Sequence, residues 1–154
     1  VIGPPWLAHV ASAEGMTAVE VMAGKEPVGV DYDNIPGCTY CQPQVASLGL
    51  TEEKAKEQGY QVKVGKVPFR AIGKALAMGH GEGFAKLIFD AQYGELLGAH
   101  LVGPEVTELL AELNVAKALE TTAEELMHTV HAHPTLSEII KEAAEAAFDQ
   151  AIHI

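Results

Sequence analysis

The chain has 154 residues, 48% of them hydrophobic, which suffices for one ordinary domain with a real core and a small attachment. Its formal net charge of −11 argues against nucleic acid and against an anionic membrane surface, and suits a basic protein partner. No apolar run approaches the roughly 20 residues that a membrane span needs.

The chain starts at Val1 and shows no basic-then-apolar leader, so it reads as a piece of a longer protein. Two cysteines do not make a disulfide framework, which fits a reducing compartment: the cytoplasm, or the mitochondrial matrix in a eukaryote.

Helical spacing of Leu7, Ala11, Gly15, Ala18 and Met22 predicts a first helix over residues 5–23, with Pro5 in its first turn and Gly24 as its stop. Residues 24–37 hold three glycines and two prolines and read as a linker. The domain boundary is placed within it, giving residues 1–33 and 34–154. Short strands follow at Cys38–Tyr40 and Val45–Leu50, then a short helix over 51–58 ended by Gly59. Val62, Val64 and Val67 are the apolar members of a strand over 60–67. Residues 68–83 are rich in glycine and read as loop, with room for a turn of helix in between. Phe84–Asp90 and Glu95–Val102 form the best hairpin in the chain.

Three helices close the sequence. Pro104 opens the first, whose buried stripe is Val106, Leu109, Leu110, Leu113 and Ala116. Thr122 and Glu125 form a capping box for the second. The third starts near Thr135 and buries Leu136, Ile139, Ile140, Ala143 and Ala147. Strands followed by helices predict an α+β fold, an antiparallel sheet with helices over one face.

The octet His131-Ala132-His133-Pro134-Thr135-Leu136-Ser137-Glu138 carries the clearest chemistry. Pro134 pushes His133 toward an extended conformation, just ahead of a helix whose first turn holds Glu138. A carboxylate on one imidazole nitrogen fixes the tautomer and leaves the other nitrogen to accept a proton. Thr135 to Glu138 is also a capping box, which alone accounts for Glu138.

Other constellations have blander readings. His128, His131 and His133 lack the further ligands a zinc site wants, and no metal is assigned. Cys38 and Cys41 lie in a β-prone stretch between prolines, and read as buried structural thiols rather than a redox pair. Gly79-His80-Gly81-Glu82-Gly83 neither follows a strand nor opens a clear helix, so it reads as a turn. Pro4-Pro5-Trp6-Leu7-Ala8-His9 leads into a helix N-terminus, by default a simple cap.

Together these segments resemble the flavin-dependent disulfide reductases, and within them the dihydrolipoamide dehydrogenases. The octet through Glu138 is similar to that family's C-terminal signature. Trp6-Leu7-Ala8-His9 with Glu14-Gly15 resembles its flavin-touching segment, and Ile35-Pro36, Tyr40, Pro43 and Val45-Ala46 its first interface strand. Val64-Gly65-Lys66 with Pro68-Phe69, and Leu97-Gly98-Ala99-His100 with Gly103-Pro104, also fit.

The resemblance implies a reductase dimerisation domain at 34–154, preceded by the last helix of an FAD-binding region at 1–33. It implies a homodimer in which His133 takes a proton from a dihydrolipoamide thiol at the partner's site, oriented by Glu138. Trp6, Leu7, Ala8 and His9 are then flavin contacts, and the parent uses FAD and NAD. The family's paired redox cysteines and Gly-rich fingerprints are not in this chain, Trp6 stands where Met is usual, and Gln44 where Glu is usual. The chain alone is therefore expected to be inactive. Two alternatives stand beside this reading: a glutathione reductase-like sister enzyme, and a non-catalytic dimerisation and docking module. For docking, Glu105, Glu108, Glu112, Glu120, Glu124 and Glu125 would meet a basic peripheral-subunit-binding domain.

Overall fold

The structure, a computed structural model, describes residues 2–154. It divides into two compact units, one ending at Ile35 and the other running Pro36–Ile154. In the first unit, α1 (Ala8–Met22) starts later than its apolar spacing predicts. Pro5 lies ahead of the helix after a cis Pro4–Pro5 peptide, and Leu7, extended at φ −117° and ψ 141°, is the N-cap residue. The segment after α1 includes a 3₁₀ turn, Tyr32–Asn34, and the Tyr32 hydroxyl donates to Glu14 Oε1 at 2.7 Å.

The second unit is built on one sheet. In chain order it contains β1 (Gly37–Thr39), β2 (Gln44–Gly49), α2 (Glu52–Glu57), β3 (Val62–Pro68), α3 (Gly73–Ala77), β4 (Phe84–Asp90) and β5 (Leu96–Gly103). Then come α4 (Val106–Ala118), α5 (Ala123–His128) and α6 (Glu138–Ala147). The strand order is β1-β2-β5-β4-β3, and every neighbouring pair is antiparallel. The β4–β5 hairpin matches its expectation. Asp90 is buried in its turn, and its Oδ2 accepts the Tyr93 N–H at 2.8 Å. A register shift at Ile88/Phe89 puts Leu96 on the same face as Ala99 and Leu101.

Alternation along the strands sorts the core. Leu48, Val67, Leu87, Phe89, Leu96 and Leu101 point to the face covered by α4, α5 and α6. There they meet Val106, Leu110 and Leu113 of α4, and Ile139, Ile140 and Ala143 of α6. Each fully buried Leu, Ile or Phe contributes about 1.5–3 kcal/mol. Ile88 and Leu97 point the other way, onto Ala55 of α2. The helical cover is thus not confined to one face. Glu52 fastens α2 there, with Lys56 Nζ at 2.6 Å and Lys86 Nζ of β4 at 2.7 Å, which together draw its pKa down to about 2.

Two local expectations need correction, and one open stretch is filled in. The glycine-rich stretch after β3 holds a short helix, α3, with Ile72 and Ala75 buried in the core. Pro104 does not open α4: Glu105 stands between them at φ 52°, and its carbonyl accepts the N–H groups of Glu108 and Leu109. The cysteines are not two buried thiols. Cys38 is half-buried on β1, while Cys41 lies beyond the strand in an exposed loop, its Sγ 3.0 Å from the Pro43 carbonyl. Among the described residues, no helix is long and apolar enough to cross a membrane.

Candidate active site

The capping box expected at α5 forms, with the Thr122 hydroxyl and N–H both bonded to Glu125. Between α5 and α6 the chain runs irregularly through the octet. Thr135 holds this loop, its hydroxyl donating to the Ala132 carbonyl at 2.6 Å and meeting the Ser137 hydroxyl at 2.9 Å. Because that hydroxyl is committed elsewhere, Thr135 is not the helix cap. Ser137 is the N-cap residue, and α6 begins at Glu138. Half of the expected box survives: Glu138 Oε2 accepts the Thr135 N–H at 2.9 Å.

The other oxygen of Glu138 lies 2.8 Å from His133 Nδ1. One carboxylate therefore does both things that the octet suggested, holding the loop and orienting the ring. An ionised carboxylate only accepts, so Nδ1 carries the hydrogen and Nε2 keeps its lone pair. The His133 side chain is 76% exposed, and Nε2 forms no hydrogen bond among the described residues. Burial acts to raise the Glu138 pKa, but the Thr135 N–H, the His133 ring and the charge of His153 outweigh it and hold the carboxyl below its usual range. The pair is a base with a fixed tautomer and an open proton-accepting atom.

His128 and His131 take no part in this contact. His131 Nε2 lies 2.7 Å from Glu112 Oε1 of α4, and its Nδ1 lies 3.2 Å from the Thr129 carbonyl. His128 is the exposed last residue of α5. No group of three or more His, Cys, Asp or Glu suited to a metal occurs among the described residues. Trp6, Leu7, Ala8 and His9 lie in the first unit at the start of α1, and all four are exposed. Leu7 provides no side-chain cap, and the first turn holds no acidic residue.

A cleft of about 440 Å³ adjoins the pair, lined by His131, His133 and Glu138, by Ile72 and Val130, and by Ile152 and His153. It also holds Glu142 and Glu145, which the sequence reading missed. Their signal was present: acidic residues at helical spacing after Glu138, inside a run otherwise rich in alanine. Glu145 is only 8% exposed, its Oε2 forms no hydrogen bond among the described residues, and Lys141 Nζ lies 3.9 Å from Oε1.

Burial, and then the charge of Glu142, push the Glu145 pKa up. A carboxyl with a raised pKa binds its proton more tightly in the folded state. Its contribution to stability is complete below the ordinary carboxylate pKa and is lost as pH rises through the folded value. Glu145→Gln, which removes the charge and keeps the shape, is expected to stabilise the chain by about 1 kcal/mol at pH 8. The gain should vanish near pH 4. Urea unfolding at both pH values measures it, and an equal effect at the two would show that the charge is not the cause.

Residues 35–144 match the family model for the pyridine nucleotide-disulphide oxidoreductase dimerisation domain. Dihydrolipoyl dehydrogenase of Zymomonas mobilis is 55% identical over 154 residues, covering 99% of this chain and 33% of that protein. Dihydrolipoyl dehydrogenase of Bacillus subtilis is 51% identical over 153 residues, again 99% of this chain and 32% of that protein. The chain spans about a third of the length of the curated relatives it matches. Among solved structures, LpdA from Mycobacterium tuberculosis superposes with a TM-score of 0.84 at 25% identity, over 90% of this chain and 30% of that one. The HOCl-induced flavoprotein disulfide reductase RclA from Escherichia coli gives 0.79 at 24%, over 84% and 30%, a likeness of fold.

Proposed function

The chain belongs to the pyridine nucleotide-disulphide oxidoreductase dimerisation-domain family, and from that premise we propose that it is the dimerisation part of a dihydrolipoyl dehydrogenase. The parent enzyme oxidises dihydrolipoamide with NAD⁺, through FAD and a redox disulfide carried elsewhere in the enzyme. In a homodimer, the His133–Glu138 pair of one subunit serves the sulfur site of the other.

A dihydrolipoamide thiol gives its proton to His133 Nε2, leaving a thiolate and an imidazolium that Glu138 stabilises. The thiolate attacks one sulfur of the redox disulfide; a mixed disulfide forms, the S–S bond breaks, and the displaced sulfur leaves as thiolate. The observation that carries this reading is the 2.8 Å contact between His133 Nδ1 and Glu138 under a ring that is otherwise open.

The start of α1 fits the proposed flavin contact, since its first turn lacks a side-chain cap and acidic residues, and exposed Trp6 stands just before it. When bound, FAD supplies two-electron transfer between the disulfide and the nicotinamide. α1 is then the last helix of the FAD-binding region, with a linker after it, within the segment 1–33. Cys38 and Cys41, both unpaired, suit a reducing compartment, the cytoplasm or the mitochondrial matrix.

The basic peripheral-subunit-binding domain of a 2-oxoacid dehydrogenase complex is the proposed docking partner. Of the acidic residues named for it, Glu112 is paired with His131 and Glu125 with Thr122. Glu105, Glu108, Glu120 and Glu124 are the exposed ones that remain.

Subunit mixing tests the sharing of the site. Full-length His133→Gln subunits are co-assembled with full-length subunits whose redox cysteines are replaced by serine. Each homodimer should be nearly inactive, while the mixed dimer regains about half of the activity, one complete site in two. Mixed dimers as inactive as their parents would reject a site shared between subunits. Comparing dihydrolipoamide with glutathione on the full-length enzyme separates the sister-reductase reading.

A further inference from the structure

Glu142 lies one helical turn beyond Glu138 on α6, and Glu145 nearly two turns beyond. Glu142 is 4% exposed, and both of its oxygens are engaged. Oε1 accepts the backbone N–H of Ile152 at 2.9 Å and of His153 at 2.6 Å. Oε2 lies 2.9 Å from His153 Nδ1. Two main-chain donors and a ring on one carboxylate fix a segment far better than a single exposed ion pair would. The segment in question follows a left-handed turn at Asp149, φ 59°, and lies outside any helix or strand. Its residues Ile152 and His153 form a rim of the cleft that His133 and Glu138 also line.

The charged and titratable groups around this rim come from three places. α6 contributes Glu138, Lys141, Glu142 and Glu145; the loop before it contributes His131, bound to Glu112 of α4, and His133. The third is His153 itself, while Ile72 and Gly73 on the α3 side are uncharged. The hydrogen bond that the His153 ring donates to Glu142, and then the charge of Glu142, raise the His153 pKa. His153 in turn is among the groups that keep Glu138 ionised.

We propose that Glu142 is a positioning residue for the His133–Glu138 pair, strapping residues 152–153 across α6 and holding the His153 ring at the rim of the cleft they share. The inference rests on the acid–base reading of His133 given above. The strap does not touch the reacting atoms. It fixes the rim of the cleft, and through the ring it biases Glu138 toward the carboxylate that orients His133.

The test uses the full-length enzyme with Glu142→Gln, His153→Gln and, as a control, His133→Gln. Amide hydrogen exchange reads the strap, and the pH profile of kcat reads the site. Glu142→Gln should speed exchange over residues 149–153 about tenfold or more. It should also lower kcat about three- to thirtyfold with little change in KM. His153→Gln leaves the backbone donors on Glu142, so exchange should rise less than about threefold. Removing the ring's positive charge should still move the acid limb of the kcat profile about 0.3–0.5 unit toward higher pH.

Unchanged exchange in Glu142→Gln overturns the strap. Faster exchange with unchanged kcat, and an unmoved profile in His153→Gln, overturns the positioning role. Near-normal kcat in the His133→Gln control brings down the acid–base reading instead; Glu142 is then a structural anchor alone, whatever the exchange shows.

Discussion

His133→Gln in the full-length enzyme is expected to lower kcat for dihydrolipoamide oxidation about 10²–10⁴-fold, the usual scale for losing a general base. The ring is largely exposed and its one hydrogen bond among the described residues is to Glu138, so unfolding should change little and the loss should belong to chemistry. Stopped-flow reduction by dihydrolipoamide isolates the affected step, because proton removal precedes the thiolate's attack. Raising the pH should recover part of the rate, since solvent then supplies thiolate that the base no longer makes. Glu138→Gln should cost less than the histidine substitution. It can still hydrogen-bond the ring, but it no longer offers a charge to the imidazolium, and its amide can present the wrong group to Thr135. A His133→Gln enzyme with a near-normal rate would remove the assigned role.

How much of this was legible in the sequence depends on how far apart the interacting groups lie. The β4–β5 hairpin could be read because its turn and both strands sit in one short stretch. The His133–Glu138 pair could be read because His133, Pro134 and the start of α6 lie within one short stretch. What the local pattern could not say was how Thr135 would spend its hydroxyl. The Ala132 carbonyl takes it, so the helix starts later and only half of the capping box forms.

Longer-range arrangements left weaker traces. His131 finds Glu112 across nineteen positions, and nothing near either residue announces the other. Glu142 is held by main-chain N–H groups of residues 152 and 153, a partner that no side-chain pattern encodes. α3 was masked by its flanking glycines, and its burial is decided by the sheet and helices around it. The thiols differ from their expectation for a related reason. β propensity around Cys38 and Cys41 implies burial, yet β1 ends at Thr39 and leaves Cys41 in a loop at the edge of the sheet.

Gly65→Ala is expected to destabilise the chain by about 3 kcal/mol or more, the upper end for forcing atoms into a packed interior. Gly65 sits in the middle of β3, where α6 crosses the sheet. A Cβ there would fall on the Ala143 carbonyl oxygen and come within 2.7 Å of the Ala147 nitrogen. Both are backbone atoms of α6, so no rotamer change relieves the clash; the helix as a whole must move. That helix carries Glu138, Glu142 and Glu145, and its Ile139 and Ile140 fill the core. One added methyl therefore strikes packing and site together. The appropriate control is Gly73→Ala at the start of α3, where an added Cβ meets nothing within 4 Å and the backbone is not left-handed. Urea unfolding of the 154-residue chain should separate the two variants clearly, with Gly73→Ala within about 0.5 kcal/mol of the parent. In the full-length enzyme, whatever Gly65→Ala protein folds should also lose kcat, because the carboxylate that orients His133 rides on the displaced helix. Equal stability of the two variants would mean that α6 does not lie against β3 at this glycine, and the placement of Glu138 beneath His133 would lose its support.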